Sequence, residues 1–169
     1  MGYVEAYSAE LVNSLTYVLD SADLVLLEEL VGDDGILALE IPRRPYSELL
    51  HVFLGWSEGL MLLGEPVVHE ILTVLEAKLQ NLVDEVTHVP GHIIFALDNL
   101  DGQFISPRAF KKYLADSYRQ TTNVLHQHKK RLLVHVGGPI KHLLVPLVRS
   151  GVDALEGIAG PPQSDASLA

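Results

Sequence analysis

Four apolar runs in this chain each end in a polar or ionisable residue, and that pattern restricts the fold more than any other feature. The runs are ILALE ending at Glu40, HIIFALD at Asp98, RLLVH at His135 and VDALE at Glu156. The first three show no alternation of apolar and polar residues, so they read as parallel strands buried on both faces. Helical patterns separate them, which is the order of an α/β fold. In a barrel of alternating strands and helices the chemistry sits at the C-terminal strand ends. Four polar tips in succession therefore predict one wall of an active site.

The predicted strands are Ile36 to Ile41, the run opened by Pro90-Gly91, the run beginning at Arg131, and Val152 to Glu156. Residues 1–31 are the least defined: Leu15 to Leu19 suits a short strand, and Asp20 or Ser21 can cap a helix over Ala22–Leu30. A helix follows from Tyr46 to about Leu63, weakened at Gly55 and Gly59. Pro66 is placed as the first residue of the next helix, whose inner stripe is Val67, Ile71, Val74, Leu75, Leu79, Leu82 and Val86. Ser106-Pro107 starts a long helix to about Lys129, with Phe110, Leu114, Thr121 and Leu125 inward. A short helix ends at Ser150-Gly151. The tail GIAGPPQSDASLA reads as loop, with Asp165 as the cap of a further helix. About four strands against the eight of a closed barrel predict a single domain that is part of a larger (β/α)8 TIM barrel.

Twelve basic and twenty-two acidic residues give a net charge of −10, which repels phosphate backbones and argues against a nucleic-acid partner. The chain has no cysteine, so disulfides, thiolate metal sites and cysteine nucleophiles are excluded within it. No apolar run approaches the about 18 residues that span a bilayer, and the acidic N-terminus is not a secretory signal. A cytoplasmic globular domain is the expectation.

Asp98 opens the loop Asp98-Asn99-Leu100-Asp101-Gly102. At a barrel mouth it can orient a substrate N–H, act as acid or base, or help hold a metal; the plainer alternative is that it bonds the backbone of its own turn. His135 can bind zinc or shuttle a proton, or be a core histidine satisfied by a carbonyl. Glu156 pairs with His135 across neighbouring strands, as ligand, base or the carboxylate that orients the imidazole; its alternative is a salt bridge to Arg149. Glu40 can reach the same mouth unless Arg43 or Arg44 neutralises it. Gly137-Gly138 exposes backbone N–H groups before a helix and makes a candidate anion cradle, although a tight strand-to-helix turn explains the glycines equally.

The segments FALDNLDGQFISPRAFKKYL, RLLVHVGG and LLVPLVRSGVDALEGI resemble the uroporphyrinogen decarboxylase superfamily, across roughly residues 91–160 and more loosely back to about Gly32. That superfamily contains haem-pathway decarboxylases and zinc-dependent methyltransferases that work with methylated corrinoids, both on a (β/α)8 barrel. The resemblance implies a lyase acting on a tetrapyrrole or, in the nearer branch, a methyltransferase with a corrinoid protein as partner. The methyltransferase strand ends His-x-Cys-Gly. Here His135 and Gly138 match and Gly137 occupies the cysteine position, so the resemblance carries over one zinc ligand, His135, to be joined by Glu156 and water. The strand-end constellation taken together with these segments gives Asp98 and Glu156 as candidate catalytic residues and Glu40, Asn99, Gly137 and Gly138 as candidate substrate contacts, although the family pattern has a serine where Asn99 stands. The competing expectation is an inactive half-barrel, a homodimer or other interaction or cofactor-sensing module.

Overall fold

The computed structural model describes Ser14 and residues 16–167. Four strands form one parallel sheet in sequential order: β1 (Ala38–Ile41), β2 (Ile93–Leu100), β3 (Arg131–Val136) and β4 (Ala154–Glu156). The helices are α1 (Leu24–Val31), α2 (Pro45–Glu48), α3 (Gly55–Leu62), α4 (Pro66–Val86), α5 (Pro107–Tyr113), α6 (Ala115–Gln127) and α7 (Lys141–Arg149). The architecture is α/β with helical crossovers between parallel strands. Among the described residues no helix is long and apolar enough to cross a membrane.

Local chemistry explains where the helices start and stop. Pro66 begins α4, where its missing N–H costs nothing. Val68, Ile71, Leu75, Leu79, Leu82, Val83 and Val86 form the buried side of α4, each stabilising the fold by about 1.5–3 kcal/mol relative to exposure. The Ser106 hydroxyl accepts the Ala109 N–H at 3.1 Å and caps α5, as its sequence position predicts.

The long helix expected from Pro107 to Lys129 is two helices, divided at Leu114, whose backbone leaves helical geometry. The helix expected over Tyr46–Leu63 is also broken. It runs as α2, a π-helical turn over Leu49–Phe53, and then α3, which begins at Gly55 with φ of +71°. Only glycine takes that conformation without strain. Residues 16–20 form no strand, and Leu15 lies outside the described residues.

Lys130 lies just beyond the end of α6. It is buried, and its Nζ donates to the carbonyls of Val89 (2.7 Å) and Gly91. Asp165 does not cap a helix that follows it. Its Oδ1 accepts the N–H groups of Ile140 (2.8 Å) and Lys141 (2.9 Å), so the tail caps the start of α7. The Lys141 bond, then the Ile140 bond, hold its carboxyl below the usual range.

The core lies between one face of the sheet and the helices. Leu39 and Ile41 of β1, Ile94, Ala96 and Leu100 of β2, and Leu132, Val134 and Val136 of β3 are buried there. Ile93, Phe95 and Leu97 of β2 and Leu133 of β3 point the other way and are only half-buried. The expectation of strands buried on both faces is therefore corrected to one buried face. Four strands do not close on themselves, so the second face stays open.

Three tyrosines with buried hydroxyls set an alkaline limit on stability. Tyr17 and Tyr46 are pushed up to about 12, each chiefly by burial, with the charges of Glu48 and Glu76 adding for Tyr17 and the neighbouring Tyr113 hydroxyl adding for Tyr46. Tyr118 lies well above 10, from burial and then Asp98. In the unfolded chain these hydroxyls ionise near 10, so their contribution is complete below about pH 10 and is lost as pH rises through the folded values. The urea midpoint is expected to fall between about pH 8 and pH 11, and the Tyr46→Phe variant should show a shallower fall.

Candidate functional site

The sheet register divides the predicted site residues between its two faces. Glu40 pairs with Phe95, Phe95 with Leu133, and Leu133 with Ala154; His135 pairs with Glu156 two residues further on. Glu40, His135 and Glu156 thus lie on the open face. His135 Nδ1 is hydrogen-bonded to Glu156 Oε2, and both side chains remain partly exposed. The Phe95 ring meets the imidazole edge-on, with centroids 6.4 Å apart. A carboxylate that accepts Nδ1–H fixes the tautomer and leaves Nε2 free to take or give a proton. Among the alternatives for Glu156, the His135 contact is present, and no Glu156–Arg149 bridge is found among the described residues.

Glu40 stands two strands from His135 and one side-chain level lower. Neither arginine beside it takes its charge: Arg43 pairs with Glu48 at 3.7 Å, and Arg44 faces Asp98.

Asp98 is the main correction. It ends up on the helical face of β2, with no exposure, and does not share a wall with His135. Its Oδ1 accepts the Arg44 backbone N–H at 2.5 Å, and its Oδ2 accepts the Tyr118 hydroxyl at 2.5 Å. The Arg44 guanidinium has its Nε 3.9 Å from Oδ2 and its Cζ 4.8 Å from the centre of the Tyr118 ring. Arg44 is itself fully buried. This trio anchors the start of α2 to β2 and α6, so Asp98 holds the frame behind the rim.

The loop after Asp98 returns to the rim. β2 is irregular between Ala96 and Leu100, and Asn99 has φ of +51°. A Cβ added at Gly137 would lie 2.6 Å from Asn99 Oδ1, and one at Gly138 would lie 2.6 Å from Asp101 Oδ2. The glycines therefore let these two loops close on each other. The anion-cradle expectation is corrected by the same geometry: the Ile140 and Lys141 N–H groups are occupied by Asp165, and Asp101 covers Gly138.

Sequence reasoning missed His51, Trp56 and Phe104 at this rim. Trp56 stacks on Phe104 at 4.6 Å and meets His51 edge-on at 4.9 Å. His51 is held below its ordinary value, first by burial and then by Arg43, against the opposing pull of Asp98, the Asn99 backbone and Asp101. Nothing in the local pattern of SELLHVF marks His51 as a rim residue. Tyr118 was more visible, since it continues the Phe110–Leu114 spacing of the inner stripe.

A cleft of about 320 Å³ lies elsewhere, in the helical layer between Tyr46, His69, Glu76 and Tyr113. His135 and Glu156 place two donors at the rim, and among the described residues no group of three His, Cys, Asp or Glu side chains that could hold a metal ion is found. Comparison with known families, characterised proteins and solved structures finds no match to this chain.

Proposed function

We propose that this chain is a domain of the uroporphyrinogen decarboxylase type and that its His135–Glu156 pair transfers a proton to or from a small substrate at the C-terminal rim. The observation that carries the reading is the carboxylate-oriented imidazole on the open face of the sheet. Between the two branches of the resemblance it favours decarboxylation. Loss of carbon dioxide from a side-chain carboxylate leaves the bonding pair on carbon, and an imidazolium Nε2–H can deliver the proton that carbon then needs. Zinc-assisted methyl transfer from a corrinoid partner requires ligands that this donor set does not supply. The substrate on this reading is a tetrapyrrole carboxylate, with Asn99 and Glu40 as the further polar groups to meet it.

The test is to assay the purified chain for carbon dioxide release from a tetrapyrrole polycarboxylate, and in parallel for methyl transfer from methylcobalamin to a thiol. His135→Ala and Glu156→Gln are each expected to lower the decarboxylation rate by about 10²–10⁴-fold while the far-ultraviolet circular dichroism is unchanged. Wild-type rates in His135→Ala, or methyl transfer alone, would overturn the proposal. A second reading, a module without catalysis, draws on the open sheet face of Phe95, Leu97 and Leu133.

A further inference from the structure

The helical layer holds a second cleft, on the other side of the sheet from His135. It lies between α5, α6 and α7, with a volume of about 290 Å³. Two interruptions of helix border it. Ala115 is the first residue after the break at Leu114, and Pro146 sits inside α7, where it has no N–H for the carbonyl one turn back. The floor is apolar, from Pro107, Phe110 and Pro146. The Phe110 ring is fixed by stacking on Tyr118, with centroids 5.7 Å apart.

The charged side chains of this cleft are Lys111, Arg119 and Arg149, and no carboxylate lines it. That reverses the balance of the whole chain, where acidic residues outnumber basic ones by twenty-two to twelve. Arg119 is offset by Asp116 at 2.8 Å, an exposed pair that water screens heavily. Lys111 and Arg149 have no ion-pair partner among the described residues. Two uncompensated cations beside an apolar floor favour a dianion that carries an apolar group. We infer that this cleft binds a small phosphomonoester, with its phosphate among Lys111, Arg119 and Arg149 and its organic group against Pro107, Phe110 and Pro146. A carboxylate would balance one of the two free cations, whereas a phosphomonoester carries a charge of about −1.5 to −2 at neutral pH. Guanidinium groups also match phosphate oxygens with paired N–H donors. The site stands independently of the reaction proposed above, because it lies in the helical layer and its readout is binding, not turnover.

Phenyl phosphate is the probe, titrated calorimetrically into the 169-residue chain at neutral pH and low salt. One saturable site is expected, with a dissociation constant on the order of 0.1–1 mM for a ligand of this size. Inorganic phosphate should bind at least about 10-fold more weakly, because it leaves the apolar floor uncovered. Added salt should weaken both. Lys111→Gln and Arg149→Gln, at exposed positions, are each expected to weaken phenyl phosphate by about 10-fold or more with unchanged circular dichroism. Arg108→Gln removes the same charge from an exposed position of α5 outside the cleft, and should change the affinity by less than about 2-fold. In amide spectra the Ser150 and Gly151 resonances should move during the titration. Absence of saturable binding, wild-type affinity in both cleft variants, or an equal loss in Arg108→Gln would each overturn the inference. So would amide shifts confined to the strand ends around His135. Phosphate binding as tightly as its phenyl ester would overturn the role of the apolar floor.

Discussion

Asp98→Ala is expected to cost about 3–5 kcal/mol of folding free energy, because it leaves the Arg44 guanidinium buried without its counter-charge. Arg44 has no exposure, its guanidinium nitrogens have no hydrogen-bond acceptor among the described residues, and the Asp98 carboxylate 3.9 Å away is its counter-charge. The substitution also strips the acceptor from the Arg44 N–H and the Tyr118 hydroxyl. For a domain of this size the thermal midpoint should fall by roughly 6–20 °C. The double variant Asp98→Leu with Arg44→Met removes both charges and is expected to stand closer to the parent than Asp98→Ala does, since replacing a whole buried pair is often neutral or stabilising. Urea unfolding of Asp98→Leu, Arg44→Met and the double variant completes the cycle. A cost within about 0.5 kcal/mol for Asp98→Ala, the range of a surface change, would show that Asp98 is not the buried counter-ion.

The second large effect is at Gly157, the residue after Glu156. Its φ is +88°, and an added Cβ would stand 2.4 Å from the Val136 carbonyl oxygen and 2.9 Å from His135 Cε1. The left-handed conformation costs a non-glycine residue about 1–2 kcal/mol, and forced packing adds about 1–3 kcal/mol. The close atom belongs to the backbone of β3 and cannot swing aside as a flexible side chain would. Gly157→Ala should therefore lose roughly 2–5 kcal/mol in urea unfolding and drive the imidazole off Glu156. Nitrogen-15 spectra of the His135 ring would report the second consequence as loss of the single tautomer. Gly64→Ala is the control: an added Cβ there meets nothing within 4 Å, and its midpoint should not move.

Asp98 shows why facing was harder to read than periodicity. Apolar residues fill both parities of β2, with Ile94 and Ala96 on one and Phe95 and Leu97 on the other. Without alternation, the residue string does not say which parity meets the helices. The register places Asp98 with Ile94 and Ala96. His135 and Glu156 were legible as a pair for a different reason: they end consecutive parallel strands, and such strands are usually neighbours. Arg44 gave no burial signal, because Pro42-Arg43-Arg44-Pro45 carries only the mark of a break in the chain. Its burial depends on an aspartate 54 residues away.

Sequence alone determined the α/β alternation, the parallel strands, the proline start of α4, the serine cap of α5 and the adjacency of His135 to Glu156. Each rests on short-range periodicity, capping chemistry or chain order, which a local stretch of residues carries in itself. Tertiary structure decided which way Asp98 faces, that Arg44 is buried, that Asp165 caps α7 and that one side of the sheet stays open. Those outcomes depend on groups far apart in the chain meeting at a particular register. The desolvation and packing energies that select such a meeting exist only once the layers have come together.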